Sequence, residues 1–364
     1  MNRNSLQDSM AKSLAGALAI AALLHVGACA RPAGATKFTQ MTADTTYTET
    51  DPTPSPDGAW LAYTTERGDG SKQVWIRPIA GGESRQLTHE PDSARATTPT
   101  WAPDGKSLLY ITTRTKQYNV YRIPFDGGEA VPMSNAEGGN RFATYSPDGS
   151  KIVFSSNRLR PTELWGFNLY VMDGAGEKVG ERDAKQITNH EGSPGHPVWA
   201  PDGKWVAFVA KAVDTTKTVE VGPGMTAKQN AMFSVYRLFK VPVEGGEPKQ
   251  LTGVNAPAKE QSEEVWPNWS PDGKWIAVQS RTGTKTDIWL YEVKTGAFFP
   301  ITSFGNCAKP TWSYDGKTIW FTRYAGLKET IWAATDLVLK PPASPPTAKK
   351  SSPRRTATKK PGAK

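Results

Sequence analysis

Two cysteines and four histidines are all the thiol and imidazole in 364 residues. So few cysteines cannot frame a disulfide-stapled fold, and if Cys29 is modified then Cys307 has no partner, so packing must hold the chain together. His89, His190 and His196 fall in different or short loops without helical ligand spacing, so no metal and no cofactor is expected. Long apolar runs are also missing. The longest, Leu14 to Val26, falls short of the roughly 20 residues a membrane-spanning helix needs. Acids are absent from residues 341–364, which carry seven basic residues; with Arg3 and Lys12 against Asp8, the two ends account for all but about one unit of the formal +9. The basic balance is therefore no argument for nucleic-acid binding.

What the chain has in quantity is a turn. Pro-Asp-Gly occurs at Asp57, Asp104, Asp148, Asp202 and Asp272, with Tyr-Asp-Gly at Asp315, at spacings of 47, 44, 54, 70 and 43 residues. Proline presets φ at the first corner, Asp tolerates the second, and Gly takes the positive φ that reverses the chain. A short β-rich run follows the turn, as in AWLAYTT, KIVFSS, KWVAFVA and KWIAVQS. A second run follows, as in QVWIRPI, NVYRIPF and DIWLYEV, and a third ends near Thr88, Ser134, Thr188, Thr252 and Thr302. With the segment before the turn, each unit has four strands. Four short strands in each repeat of about 40 to 45 residues mark a β-propeller blade, whose sheet buries its faces only against neighbours. The expected fold is all-β, a six-bladed propeller of four-stranded antiparallel blades over residues 37–340.

Both ends carry their own signals. Residues 1–29 combine a basic start, an apolar run and small residues before Cys29, the pattern of a secretory signal. Val26-Gly27-Ala28-Cys29 resembles a bacterial lipobox, which implies acylation of Cys29 and a membrane anchor; an ordinary cleavage site with a nearby cysteine is the plainer reading. With Ala30 rather than Asp after the cysteine, lipidation implies the outer membrane of a Gram-negative cell. Residues 30–36 read as a tether. Lys37 to Thr42 (KFTQMT) matches the blade-ending pattern with no blade before it, while the last repeat lacks a closing strand, so the two ends are expected to pair and close the ring. Residues 341–364 cannot bury enough apolar surface to fold. This tail either touches anionic surfaces by charge or solubilises the chain.

The surplus residues place the insertions at Val213 to Met232, Arg160 to Phe167 and Gly174 to Asp183. By strand alternation the Pro-Asp-Gly and Gly-Gly turns share one face of the disc, and the second-to-third loops and the loops after each Leu-Thr lie on the other. Variable loops on a rigid scaffold are where binding resides.

The repeats WAPDGKWVAF, WSPDGKWIAV and GGEPKQLT resemble the Pro-Asp variant of WD40-like repeats of TolB-like propellers and of the propeller domains of prolyl oligopeptidase-type peptidases. The resemblance spans residues 37 to 340. In the peptidases a Ser nucleophile sits on a Gly-x-Ser-x-Gly elbow in a separate domain, and that motif is not found in these 364 residues. The nearest approach is Ser193, in Gly192-Ser193-Pro194-Gly195 between His190 and His196, which lacks the strand-to-helix context and reads as a turn. The expected function is a non-enzymatic, exported, periplasmic scaffold that binds an envelope protein or peptide. The alternative is an accessory or gating subunit for a peptidase or glycan hydrolase.

Two sets of positions recur around the expected channel. The first strands supply Asp51, Thr98, Phe142, His196, Trp266 and Lys309, which differ from blade to blade; Thr98, Phe142, His196, Trp266 and Lys309 are the candidate partner contacts. The second strands end in Arg67, Arg114, Arg158, Lys211, Arg281 and Arg323. These six either receive an acidic partner or pair with loop acids such as Asp92 or Glu191. Repetition favours the pairing.

Overall fold

The computed structural model describes residues 36–339 apart from 43–45, 68–69, 92, 135–136, 163–165, 177–182, 213–234, 254–262 and 327. The signal segment, Cys29, the Val213 to Met232 insertion and the basic tail lie outside the described residues. Among the described residues twenty-four strands form six four-stranded antiparallel sheets. Five sheets are consecutive in sequence; the first runs Glu49–Pro54, Trp60–Thr65, Gln73–Pro78, Arg85–Gln86. The sixth takes Cys307–Trp312, Ile319–Ala325 and Lys328–Thr335, and its outer strand is Lys37–Gln40, with Lys37 opposite Thr335 and Gln40 opposite Trp332. The closure expected from the orphan N-terminal strand is present.

Each repeated motif has a mechanical role. In every Pro-Asp-Gly or Tyr-Asp-Gly turn the glycine has φ of +67° to +75°, and the Asp carboxylate accepts the backbone N–H two residues on, at 2.9 to 3.1 Å. The Asp thus clamps the turn as well as tolerating it. In Asp148, hydrogen bonds from the Ser146 hydroxyl, the Ser150 amide and the Ser150 hydroxyl lower the carboxyl pKa to about 2. The Thr or Ser that ends each repeat accepts a third-strand N–H with its hydroxyl: Val74 to Thr88, Val120 to Ser134, Leu169 to Thr188, Leu238 to Thr252, Ile288 to Thr302, and Ile331 to Thr42, all at 2.8 to 3.1 Å. The hydroxyl satisfies a buried donor just past the last ladder bond. That Thr42 fills this role for blade six shows that the N-terminal strand is its missing fourth.

Because each blade is apolar on both faces, the core is divided into six clusters, each between two adjacent blades. The cluster between blades one and two packs Val74 and Ile76 against Leu108 and Tyr110. That between blades five and six packs Ile288 and Leu290 against Phe321 and Cys307, and burial raises the Cys307 thiol pKa to about 12. Trp101 Nε1 donates to Thr53 O at 3.0 Å and Trp199 Nε1 to Thr144 O at 3.1 Å, tying the inner strands of blades two and four to those of blades one and three.

Of the basic residues ending the second strands, Arg67, Arg114 and Arg281 pair with acids of the scaffold. Arg67 meets Glu49 at 3.1 Å, Arg281 meets Glu263, and Arg114 holds Glu90 through Nε at 2.8 Å and Nη2 at 2.6 Å. Glu191 is exposed, and Asp92 lies outside the described residues. For two of these pairs the reason is register: Glu263 is directly opposite Arg281, and Glu49 is opposite Thr65, two residues from Arg67; Glu90 instead reaches Arg114 from the loop after Thr88. Lys211 and Arg323 instead lie over aromatic rings.

Candidate functional site

Every inner strand breaks register at the same place, between Thr50 and Thr53, Thr97 and Thr100, Arg141 and Thr144, Gly195 and Val198, Val265 and Asn268, and Ala308 and Thr311. The bulged residues are Asp51, Thr98, Phe142, His196, Trp266 and Lys309, with φ between +51° and +56°. Proline follows five of them, at 52, 99, 197, 267 and 310, and Ala143 the sixth. A bulge with positive φ is the place where glycine costs least. For Thr, Phe and Trp the conformation is an outlier costing on the order of 1 kcal/mol or more each. Six different side chains are nevertheless held there, all lining one cavity at the centre of the ring.

Five of the six side chains are linked across the channel and form a waist, which Thr98 also lines. Phe142 stacks on His196 with centroids 3.8 Å apart, Trp266 lies 4.1 Å from His196 and 5.4 Å edge-on from Phe142, and the Lys309 ammonium sits 5.2 Å from the Trp266 ring centre. Lys309 Nζ pairs with Asp51 Oδ1 at 2.8 Å and donates to Thr50 Oγ1 at 2.8 Å. Burial opposes the charge on Lys309, but Asp51, Tyr324 and Glu329 outweigh it and raise the pKa. Both His196 ring nitrogens are buried without a hydrogen-bond partner, although the ring presents some area to the lumen. Burial first, then the charges of Lys309 and Arg141, push its pKa down to about 3, so it is neutral at physiological pH.

The waist divides the channel into two chambers. Following the inner strands toward the Pro-Asp-Gly turns, a cavity of about 130 Å³ is lined by Thr53, Thr100, Thr144, Asn268 and Thr311, much the same residue type from each blade. Preceding the bulge, toward the variable loops, a cavity of about 280 Å³ is lined by Lys72, Arg95, Tyr118 and Arg141, and is cationic and irregular.

The structure brings all five expected contacts, Thr98, Phe142, His196, Trp266 and Lys309, together with Asp51 around one axis. His190 and Ser193 are placed otherwise: His190 Nδ1 accepts from Gly192 N at 2.9 Å and Ser193 Oγ accepts from Phe167 N at 3.3 Å, so both hold their loop. His89 is exposed. Among the described residues no three His, Cys, Asp or Glu side chains are grouped as metal ligands would be. Sequence reasoning missed the positive φ and the variable-side cations. The signal for the former was in plain view, since proline inside an inner strand marks a bulge.

A family model described as the TolB beta propeller domain matches residues 34–164. The chain is 29% identical over 199 residues to the uncharacterized peptidase YuxL of Bacillus subtilis, covering 46% of this chain and 30% of that protein. It is 29% identical over 136 residues to the Tol-Pal system protein TolB of Anaeromyxobacter dehalogenans, covering 36% of this chain and 28% of that protein. The chain thus spans less than a third of either relative. A solved structure of a putative TolB from Agrobacterium tumefaciens has a TM-score of 0.57 at 16% identity, covering 83% of this chain and 98% of that one; at that identity the likeness is one of fold.

Proposed function

Starting from a chain that is a TolB-like six-bladed β-propeller, we propose that it is an exported, non-enzymatic protein-binding scaffold, lipid-anchored through Cys29 and receiving an envelope protein or peptide on its variable-loop face. The observation that carries this reading is the waist. A scaffold needs the bulge backbone, for which glycine would serve, yet six unlike side chains occupy six equivalent strained positions. Strain retained at equivalent sites with dissimilar side chains supports a role for those side chains in recognition. The Pro-Asp-Gly face, by contrast, repeats one turn six times and offers a partner little to distinguish.

Trp266 is the anchor by its chemistry, a large aromatic beside a cation in a concave site. Trp266→Ala should cost on the order of 2 kcal/mol in partner affinity, read as reduced recovery of crosslinked partner from the native envelope, with the melting temperature of the same protein measured alongside. Undiminished recovery refutes the role; so does a collapse in melting temperature, which would make Trp266 a core residue instead. Labelling cells with a clickable fatty acid tests the anchor: wild type should be tagged and Cys29→Ser should not.

A second reading is favoured by the similarity to a Bacillus protein named as a peptidase. In it the propeller gates access for a peptidase or glycan hydrolase. Turnover of peptide or glycan panels by the purified protein, or capture of a hydrolase as its partner, would replace the scaffold reading with this one.

A further inference from the structure

The chamber on the variable-loop side holds a cation that the waist does not use. Arg141, one residue before the bulged Phe142, has its guanidinium carbon 4.1 Å from the centre of the Tyr118 ring and 4.8 Å from that of Phe167. The two rings come from adjacent blades and fix the plane of the guanidinium while leaving its N–H edge to be matched by something else. Nothing among the described residues does so: the Arg141 side chain makes no hydrogen bond or ion pair, and its Nε is buried without an acceptor. Burial lowers its pKa from the arginine value, with Tyr118 acting weakly the other way, but arginine remains protonated. The chamber is therefore lined by a partly desolvated positive charge without a counter-charge, a costly arrangement unless a ligand completes it.

Two further groups in the same chamber are unmet. The Thr98 hydroxyl is buried without a partner. Arg95 is exposed, engages Thr113 only through its backbone N–H and carbonyl, and meets no acid among the described residues. The other two cations are already answered, Lys72 by Glu66 at 3.7 Å and Lys309 by Asp51 at 2.8 Å. The surplus is two guanidinium groups and one hydroxyl around about 280 Å³, room for a chain end or a small acid. A phosphate dianion would need a second set of donors, and the lysines that would supply it are committed to Glu66 and Asp51.

We propose that this chamber is a carboxylate-binding site, in which the Arg141 fork grips the carboxylate, Arg95 supplies the second charge and the Thr98 hydroxyl orients it. The carboxylate is carried either by a small organic acid or by the end or an acidic side chain of a peptide entering from the variable-loop face. The direction of approach rests on the scaffold reading above; the chemistry of the site does not.

Calorimetric titration of the purified full chain tests it, with glutarate, with N-acetyl-Gly-Gly-Glu as the free acid, with its fully amidated Gln analogue, and with inorganic phosphate. Saturable binding of glutarate or of the free-acid peptide, with none of the amidated form, is the expected result, and the two carboxylate arms separate the sources. Arg141→Gln should abolish binding, and Arg141→Lys should not restore it, because lysine lacks the fork. Since Arg141 also bridges two aromatic rings, Arg95→Gln and Thr98→Val are the variants that keep the fold; each should weaken binding about tenfold, the worth of one charge-assisted hydrogen bond. The proposal is overturned if neither carboxylate binds, if phosphate binds as tightly as glutarate, or if Arg95→Gln and Thr98→Val leave affinity unchanged. Partner capture on this face without carboxylate binding refutes the site and leaves the scaffold reading standing. Carboxylate binding without any partner supports the site and removes the scaffold reading.

Discussion

Substituting Thr42 by Val isolates the closure of the ring in a single hydroxyl. Ile331 N–H is buried and donates to Thr42 Oγ1 at 2.9 Å, across 289 residues of sequence. Valine keeps the shape and removes the acceptor, so the amide is left buried and unpaired at a cost of about 1 to 3 kcal/mol. For a domain of this size that corresponds to a fall in melting temperature of about 2 to 5 °C. Thr302→Val is the internal control: Ile288 N–H donates to Thr302 Oγ1 at 2.9 Å in blade five, whose four strands are consecutive. Because Thr302 also donates to Asp287 at 2.7 Å, the control should fall somewhat further. Both variants are measured by thermal and urea denaturation of the purified protein. If Thr302→Val is destabilised and Thr42→Val melts with wild type, the N-terminal strand is not docked in solution and the closure account is wrong. If neither is destabilised, the role assigned to all six hydroxyls fails.

Two further outcomes follow from buried groups. Glu90 accepts from Tyr110, Thr112 and Arg114; burial alone would raise its pKa, but those bonds bring it below the usual 4.5. Its contribution is therefore present above the unfolded-state value and lost as pH falls. Glu90→Ala should cost about 1 to 3 kcal/mol by removing the acceptor of Tyr110 and Thr112, and its stability should fall less steeply in acid than that of wild type; an unchanged urea midpoint at neutral pH contradicts this. His196 works in the same pH direction by another route. Its pKa is about 3 in the fold against 6.5 when unfolded, so across that window the unfolded state binds the extra proton and stability falls as pH is lowered. His196→Phe should flatten that part of the stability profile, and an unaltered slope refutes the burial of a neutral imidazole.

Blade number, strand count and ring closure were readable because each rests on a local cue that recurs: a turn triplet, an apolar run, a terminal Leu-Thr. The orphan KFTQMT was legible for the same reason, as a copy of a motif out of place. The bulge was less so, because positive φ at Phe142 or Trp266 contradicts local preference, although the prolines at 52, 99, 197, 267 and 310 pointed to it. The pairing of the basic residues was legible only in part: Arg114 does meet a loop acid, Glu90, whereas Glu263 reaches Arg281 through strand register, which proximity in sequence does not reveal. The Arg141 site was out of reach: Tyr118, Arg141 and Phe167 come from three strand starts in two blades, and no spacing rule joins them.

The central claim is that recognition belongs to the variable-loop face. Placing a photo-crosslinking residue at Tyr118, exposed beside the larger chamber, and separately at Lys274, exposed on a Pro-Asp-Gly turn, and irradiating intact cells compares the two faces directly. Specific adducts from position 118 and none from position 274 are the predicted result; adducts from position 274 alone, or the same adducts from both, would contradict it.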